Sequence, residues 1–158
     1  MLFEAARLNP KESWDLVGTA LSRMDGAAHR LLLALDESYG ELISTDVLIA
    51  WAQQHLPRGP GVVAQLVAIK STRLPERART LLRTFGGDRY VYSAIARQLS
   101  SGSWTGPFSG RLKYELQIAE GWAQDPDPTV RTFARRLVKG LQQRLEQQYV
   151  REEEGRYM

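Results

Sequence analysis

The chain has 158 residues, 43% of them hydrophobic and 25% charged, the balance of an ordinary globular protein with one core of the usual size. No apolar run reaches the ~20 residues of a membrane-spanning helix, and the opening MLFEAARLNP has neither the basic start nor the small-residue cleavage site of an export signal. The absence of cysteine rules out a disulfide framework and fits a reducing cytoplasm, while a net charge of +3 permits an acidic partner without requiring one.

In chain order, apolar residues recur at helical spacing between Pro, Gly and Asn/Asp/Ser breakers. Asn9 caps, Pro10 starts and Glu12 completes a capping box for a helix whose Trp14, Val17, Leu21 and Met24 share one stripe. After the turn MDG, Ala28, Leu31, Leu32 and Leu35 form a second stripe that ends at Gly40, so these two helices make a hairpin. Ser44 caps the next helix, with Val47, Leu48, Trp51 and Ala52 on its apolar face, and PRGPG breaks it. VVAQLVAI then reads as helix from its neighbours, although its β-branched residues suit a buried strand equally well.

Leu74, Ala78, Leu81, Leu82 and Phe85 mark an amphipathic helix that ends at GG, and Asp88 caps another carrying Val91, Ile95 and Leu99, with Tyr92 and Ala96 on a neighbouring face. SSGSWTGPFSG is the longest stretch of low helix propensity. Beyond it RLKYELQIAEGWA buries two stripes, Leu112/Leu116/Ala119/Ala123 and Tyr114/Ile118/Trp122. The last helix, capped by Asp127 and begun by Pro128, turns Val130, Phe133, Ala134, Leu137, Leu141 and Leu145 inward. The expected fold is all-α, with about four antiparallel helix hairpins in series, each of roughly 30–40 residues, the period of helical repeats. Residues 1–150 are expected to form the single domain and 151–158 an acidic, frayed tail.

The final hairpin, IAEGWAQDPDPTVRTFARRLVKGLQQRL, resembles a HEAT repeat in Asp125, Pro126, Val130, Arg131, Ala134 and Leu137. The likeness covers about a quarter of the chain, and the earlier hairpins lack the Asp-x-x-x-x-Val-Arg turn. An irregular helical bundle ending in one such pair is therefore the alternative to a short α-solenoid. The resemblance implies that Arg131 pairs with acidic turn residues and stitches repeats together, and that second helices line a shallow concave face. Arrays of this kind stand at the C-termini of larger bacterial proteins, including NTPase-based antiviral sensors, and the two ends of this chain look similar to those of such a piece.

No chemistry of catalysis is legible. The two histidines, His29 and His55, fall on different predicted helices without carboxylates at metal-ligand spacing. Asp36 with Glu37, and Glu152 to Glu154, read as solvated charge, since neither set lies on one face for acid–base work. No serine sits in a nucleophile elbow, and no glycine pattern cradles a phosphate. No cofactor, metal or small-molecule substrate is expected, and the chain is read as a non-enzyme.

What remains is basic and aromatic. Arg131, Arg135 and Lys139 recur every fourth residue with Arg136 beside them, and Arg73, Arg77, Arg79 and Arg83 cluster in the third hairpin. Such stripes bind phosphate backbones, or else they are the solvated backs of amphipathic helices. Trp104 and Phe108 either present a contact surface or anchor their own loop. The expected function is a non-catalytic interaction module for a protein partner or the rest of a larger polypeptide; nucleic-acid binding through a basic helix face is the alternative. Arg135, Arg136, Lys139, Arg77, Arg83, Trp104 and Phe108 are the candidate partner-binding residues.

Overall fold

The computed structural model describes residues 1–35 and 37–157. Among these there is no strand, and the chain forms α1 (Leu2–Leu8), α2 (Pro10–Ser22), α3 (Gly26–Ala34), α4 (Glu37–Glu41), α5 (Thr45–Gln54), α6 (Gly59–Ala64), α7 (Glu76–Phe85), α8 (Arg89–Leu99), α9 (Phe108–Trp122) and α10 (Pro128–Arg156). The all-α class is as expected. None of these helices is long and apolar enough to cross a membrane.

Local chemistry sets most helix starts. The Asn9 carboxamide oxygen accepts the Glu12 amide at 3.3 Å, while the Glu12 carboxylate accepts the Asn9 side-chain amide at 2.7 Å, and Pro10 holds the first position of α2. Asp25, Asp88 and Asp127 each place a carboxylate oxygen on the first free amides of α3, α8 and α10. Ser44 occupies the N-cap position of α5 without a side-chain bond.

Consecutive helices pack at α1–α2, α2–α3, α5–α6 and α9–α10, whereas α8, which follows α7 across Gly86 and Gly87, packs on α6. In addition, α5 packs on α7, and α10 on both α7 and α8. A single core runs through all of them. Val130, Phe133, Ala134, Leu137 and Leu141 of α10 are buried as their spacing requires, each large side chain worth roughly 1.5–3 kcal/mol of removed apolar surface. Two glycines permit the closest approaches between elements. A Cβ on Gly61 would lie 2.8 Å from that of Tyr90, so α6 seats directly on α8, and one on Gly121 would lie 2.6 Å from the Thr72 carbonyl oxygen. Beside Gly121, the buried Trp122 ring donates its N–H to Ser71 O at 2.6 Å, tying the segment before α7 to α9.

Several boundaries depart from the periodicity. The opening LFEAARL is a helix in its own right, and the second stripe breaks at Leu35 before a separate α4. VVAQLVAI is helical only to Ala64. Leu66, Val67 and Ile69 then run buried but irregular, with no strand among the described residues to pair with them in a ladder. Tyr114 is 51% exposed instead of buried, while Ile118 and Trp122 of its stripe are inside. The long loop ends three residues early, with Phe108, Ser109 and Gly110 already in α9. The expected frayed tail is also helical, α10 continuing to Arg156. Glu152 explains both differences: its carboxylate accepts the Ser109 amide at 3.1 Å and the Ser109 hydroxyl at 2.9 Å, capping α9 from the far end of α10.

Candidate partner-binding surfaces

The arginines of the third hairpin are engaged within the protein. Arg77 donates through Nη1 to Gly40 O at 2.6 Å and to Ile43 O, closing the C-terminal end of α4. Arg79 bridges Glu76 at 2.8 Å and Asp125 at 3.0 Å, and Arg83 bridges Glu76 at 2.8 Å and Asp127 at 2.8 Å. This lattice fastens α7 to the turn between α9 and α10. Hydrogen bonding from Arg83 is the first cause holding the Glu76 and Asp127 carboxyls below their ordinary values, with the Val130 amide adding at Asp127. Arg131, expected to pair with acidic turn residues, instead donates to the turn carbonyls of Asp125 at 2.9 Å and Pro126 at 2.6 Å. The stitch between pairs is thus carried by Arg79 and Arg83, leaving Arg77 and Arg83 little freedom to meet a partner.

The α10 cations differ. Arg135, Arg136 and Lys139 are exposed, and among the described residues none has a carboxylate in salt-bridge contact. The Arg136 guanidinium lies 5.0 Å from the centre of the Tyr92 ring, which itself meets Phe133 edge-on at 5.8 Å. Gly140 leaves room for the Tyr92 hydroxyl, since a Cβ there would come within 3.0 Å of it. Tyr92, Ala96, Gly140 and Arg144 thereby line a shallow depression between α8 and α10. Arg89, Ser93 and Arg97 are exposed along α8 and spaced four apart. Arg89 and Arg97 are the cations of this row, eight residues apart, a wider interval than that of the α10 stripe.

A second surface lies at the far end. From Arg135 to Glu152 α10 climbs about 25 Å at 1.5 Å per residue, so Trp104 and Phe108, near the Ser109–Glu152 clasp, are well separated from the α10 cations. Trp104 is 42% and Phe108 43% exposed. The Trp104 N–H bonds Pro107 O at 3.1 Å and its ring lies 6.1 Å from Tyr114, so it anchors its loop and still shows one side to solvent. Tyr149, 39% exposed, carries Lys113 5.3 Å from its ring centre, and the Tyr149 hydroxyl is the main influence raising the Lys113 ammonium above its usual value. Tyr114 and Tyr149 were missed because helical spacing assigned the first to the core and an expected solvated face hid the second.

Among the described residues no cluster of His, Asp or Glu could hold a metal. His55 stacks on Trp51 with centroids 4.3 Å apart and bonds its carbonyl, and His29 stands exposed on α3. Asp36 lies outside the described residues, so its pairing with Glu37 is not described. The buried Glu115 is held by Arg111 at 3.0 Å and by the Ser100 hydroxyl at 3.3 Å, joining the end of α8 to α9. Compared with protein families, curated proteins and solved structures, the chain matches none.

Proposed function

We propose that the chain is a non-catalytic α-helical interaction module, a HEAT-like stack of helix pairs, that docks a protein partner or the remainder of a larger polypeptide through the aromatic end formed by Trp104, Phe108, Tyr114 and Tyr149. The observation that carries this reading is the exposure of four aromatic rings around one clasped junction. Solvent-facing aromatics gathered on a polar-rimmed surface are the usual composition of an interface centre. The packing of α5 on α7, α6 on α8 and α8 on α10 supports the stacked arrangement, and a reducing cytoplasm is the compartment that suits a chain without cysteine.

A photo-crosslinking residue at Phe108, activated in cells of the source organism, tests the proposal. A single saturable protein adduct that disappears with Trp104→Ala and survives replacement of Arg135, Arg136 and Lys139 by Ala is the expected result. No adduct, or one indifferent to Trp104, refutes it. The second reading, nucleic-acid binding, rests on the unpaired cations of α8 and α10. It requires binding to labelled duplex or single-stranded oligonucleotides whose logarithmic affinity falls steeply with the logarithm of salt, and its loss in the triple variant.

A further inference from the structure

A cleft of about 290 Å³ lies between α2, α3, α6 and α8, away from the aromatic end, and takes in Ser93 and Arg97 of the α8 row described above. Its floor is apolar and buried, with Leu21, Ala28, Leu32 and Ala94, and its rim is polar, with Arg58, Tyr90, Ser93 and Arg97. The walls are fixed in place, because Gly61 brings α6 onto the Tyr90 backbone with no space for a side chain between them.

The arrangement around Tyr90 is unusual for a surface tyrosine. Arg89 donates to its hydroxyl oxygen at 2.9 Å. Hydrogen bonds from Arg89 first and Arg58 second draw the phenol below its ordinary acidity range. The Arg89 guanidinium thus meets a neutral oxygen with Arg58 beside it in the lining, and among the described residues neither of them nor Arg97 has a carboxylate in salt-bridge contact. With its oxygen accepting from Arg89, the Tyr90 hydroxyl keeps its proton for another acceptor, and none among the described residues takes it. The one acidic residue of the lining, Asp25, is occupied at the N-terminus of α3, where it accepts the Ala28 amide at 2.8 Å. That position offsets its charge with the helix dipole.

We propose that this cleft binds a small phosphate monoester carrying a flat apolar body, the phosphoryl oxygens meeting Arg58, Arg97, Tyr90 and Ser93 and the body lying on Leu21, Leu32 and Ala94. The number of donors decides for phosphate over carboxylate. One arginine fork saturates both oxygens of a carboxylate, whereas two separate guanidiniums and two hydroxyls need the three terminal oxygens of a phosphate monoester. The volume stands at the small end of the ~300–1,000 Å³ usual for ligand sites, enough for one ring and its phosphate. The diester of a nucleic-acid backbone has two free oxygens and no terminal body to fill the apolar floor. The site is independent of the partner-docking reading and stands or falls without it.

The test is a titration of the full chain with phenyl phosphate, benzoate and inorganic phosphate, followed by amide chemical shifts and calorimetry. Phenyl phosphate is expected to bind at least about tenfold tighter than either comparison compound, through the added contacts of each half. Its shifts should centre on Ala28, Val62 and Ala94. Arg58→Ala and Arg97→Ala, both at exposed positions that leave the core intact, are each expected to weaken it about tenfold. Tyr90→Phe should weaken it less, Asp25→Asn should tighten it, and Arg136→Ala, outside the cleft, should leave it unchanged. Equal affinity for the three compounds, shifts scattered away from the cleft, or indifference to both arginine variants overturns the proposal. Displacement of phenyl phosphate by a duplex oligonucleotide acting through Arg58 and Arg97 also overturns it, giving the cleft to nucleic acid.

Discussion

Replacing Arg77 by Ala separates structural from surface arginines, because its partners are carbonyl oxygens of the protein itself. Nη1 donates to Gly40 O at 2.6 Å and to Ile43 O, and Nη2 reaches Glu41 O only at 3.4 Å. A hydrogen bond from a charged donor is worth about 1.5–3 kcal/mol, and the long third contact adds little. Two such bonds would suggest about 3–6 kcal/mol, but Gly40 O keeps the Ile43 amide at 3.1 Å and half-exposure admits water to the vacated space. The expected loss is therefore about 2–3 kcal/mol, including the favourable charge at the C-terminal end of α4. With a urea slope of about 2 kcal/mol/M, the unfolding midpoint followed by tryptophan fluorescence should fall by roughly 1–1.5 M. Arg77→Lys should recover less than half, since one ammonium replaces a fork that spans two acceptors. Arg135→Ala on α10 should cost under about 0.5 kcal/mol. An Arg77→Ala protein as stable as the parent, or an equal loss at Arg135, would refute the division between the two sets.

Three further outcomes follow from the geometry. A Cβ at Gly40 would sit 1.9 Å from the Leu66 carbonyl oxygen, whereas one at Gly155 meets nothing within 4 Å; Gly40→Ala should destabilise by about 3 kcal/mol or more and Gly155→Ala stabilise by up to about 1 kcal/mol in denaturant titrations. Trp122→Phe removes the 2.6 Å bond to Ser71 O together with buried volume, and should lower stability by about 2–3 kcal/mol in the same titrations, with Trp122→Tyr no better. The Glu76 and Asp127 carboxyls are depressed from ordinary values of 4.5 and 3.8, so their contribution is present in full at neutral pH and is lost as pH falls from about 4 through the folded-state values. Urea midpoints should stay level from pH 7 to 5 and drop below about 4, and Asp127→Asn should shrink that drop while keeping the cap.

Helices, caps and the core face of α10 were legible because each depends on residues within a few positions of one another. Asp88, Asp127 and the Asn9–Glu12 box act over two or three residues, and the apolar spacing of α7, α8 and α10 records one buried side apiece. What failed depends on partners far along the chain. Arg79 and Arg83 meet Asp125 and Asp127 across more than forty positions, so on α7 a structural lattice and a phosphate-binding stripe have the same spacing in sequence. Tyr114 shares the period of Ile118 but turns its ring to Trp104 of the loop and stays half exposed. Glu152 was read as part of a solvated acidic run because Ser109, the group it caps, is 43 residues away. The cleft beside Tyr90 left no local trace, since its lining comes from four separate helices.

The two exposed surfaces differ in how firmly they are held, and that bears on what each can contribute to binding. The Ser109–Glu152 clasp joins the first turn of α9 to the last turns of α10, while Trp104 is pinned by Pro107 and Tyr114. Rings fixed in this way surrender little conformational freedom on meeting a partner, so their buried area converts efficiently into affinity. Arg135 and Lys139 are long, solvated and unpaired, and most of what they gain from an anionic partner would be offset by desolvation and lost side-chain freedom. Their influence extends over about a Debye length and acts mainly on the rate of encounter. A partner that used both surfaces would be drawn in by α10 and retained at the aromatic end, with the roughly 25 Å between them setting the smallest partner able to span both.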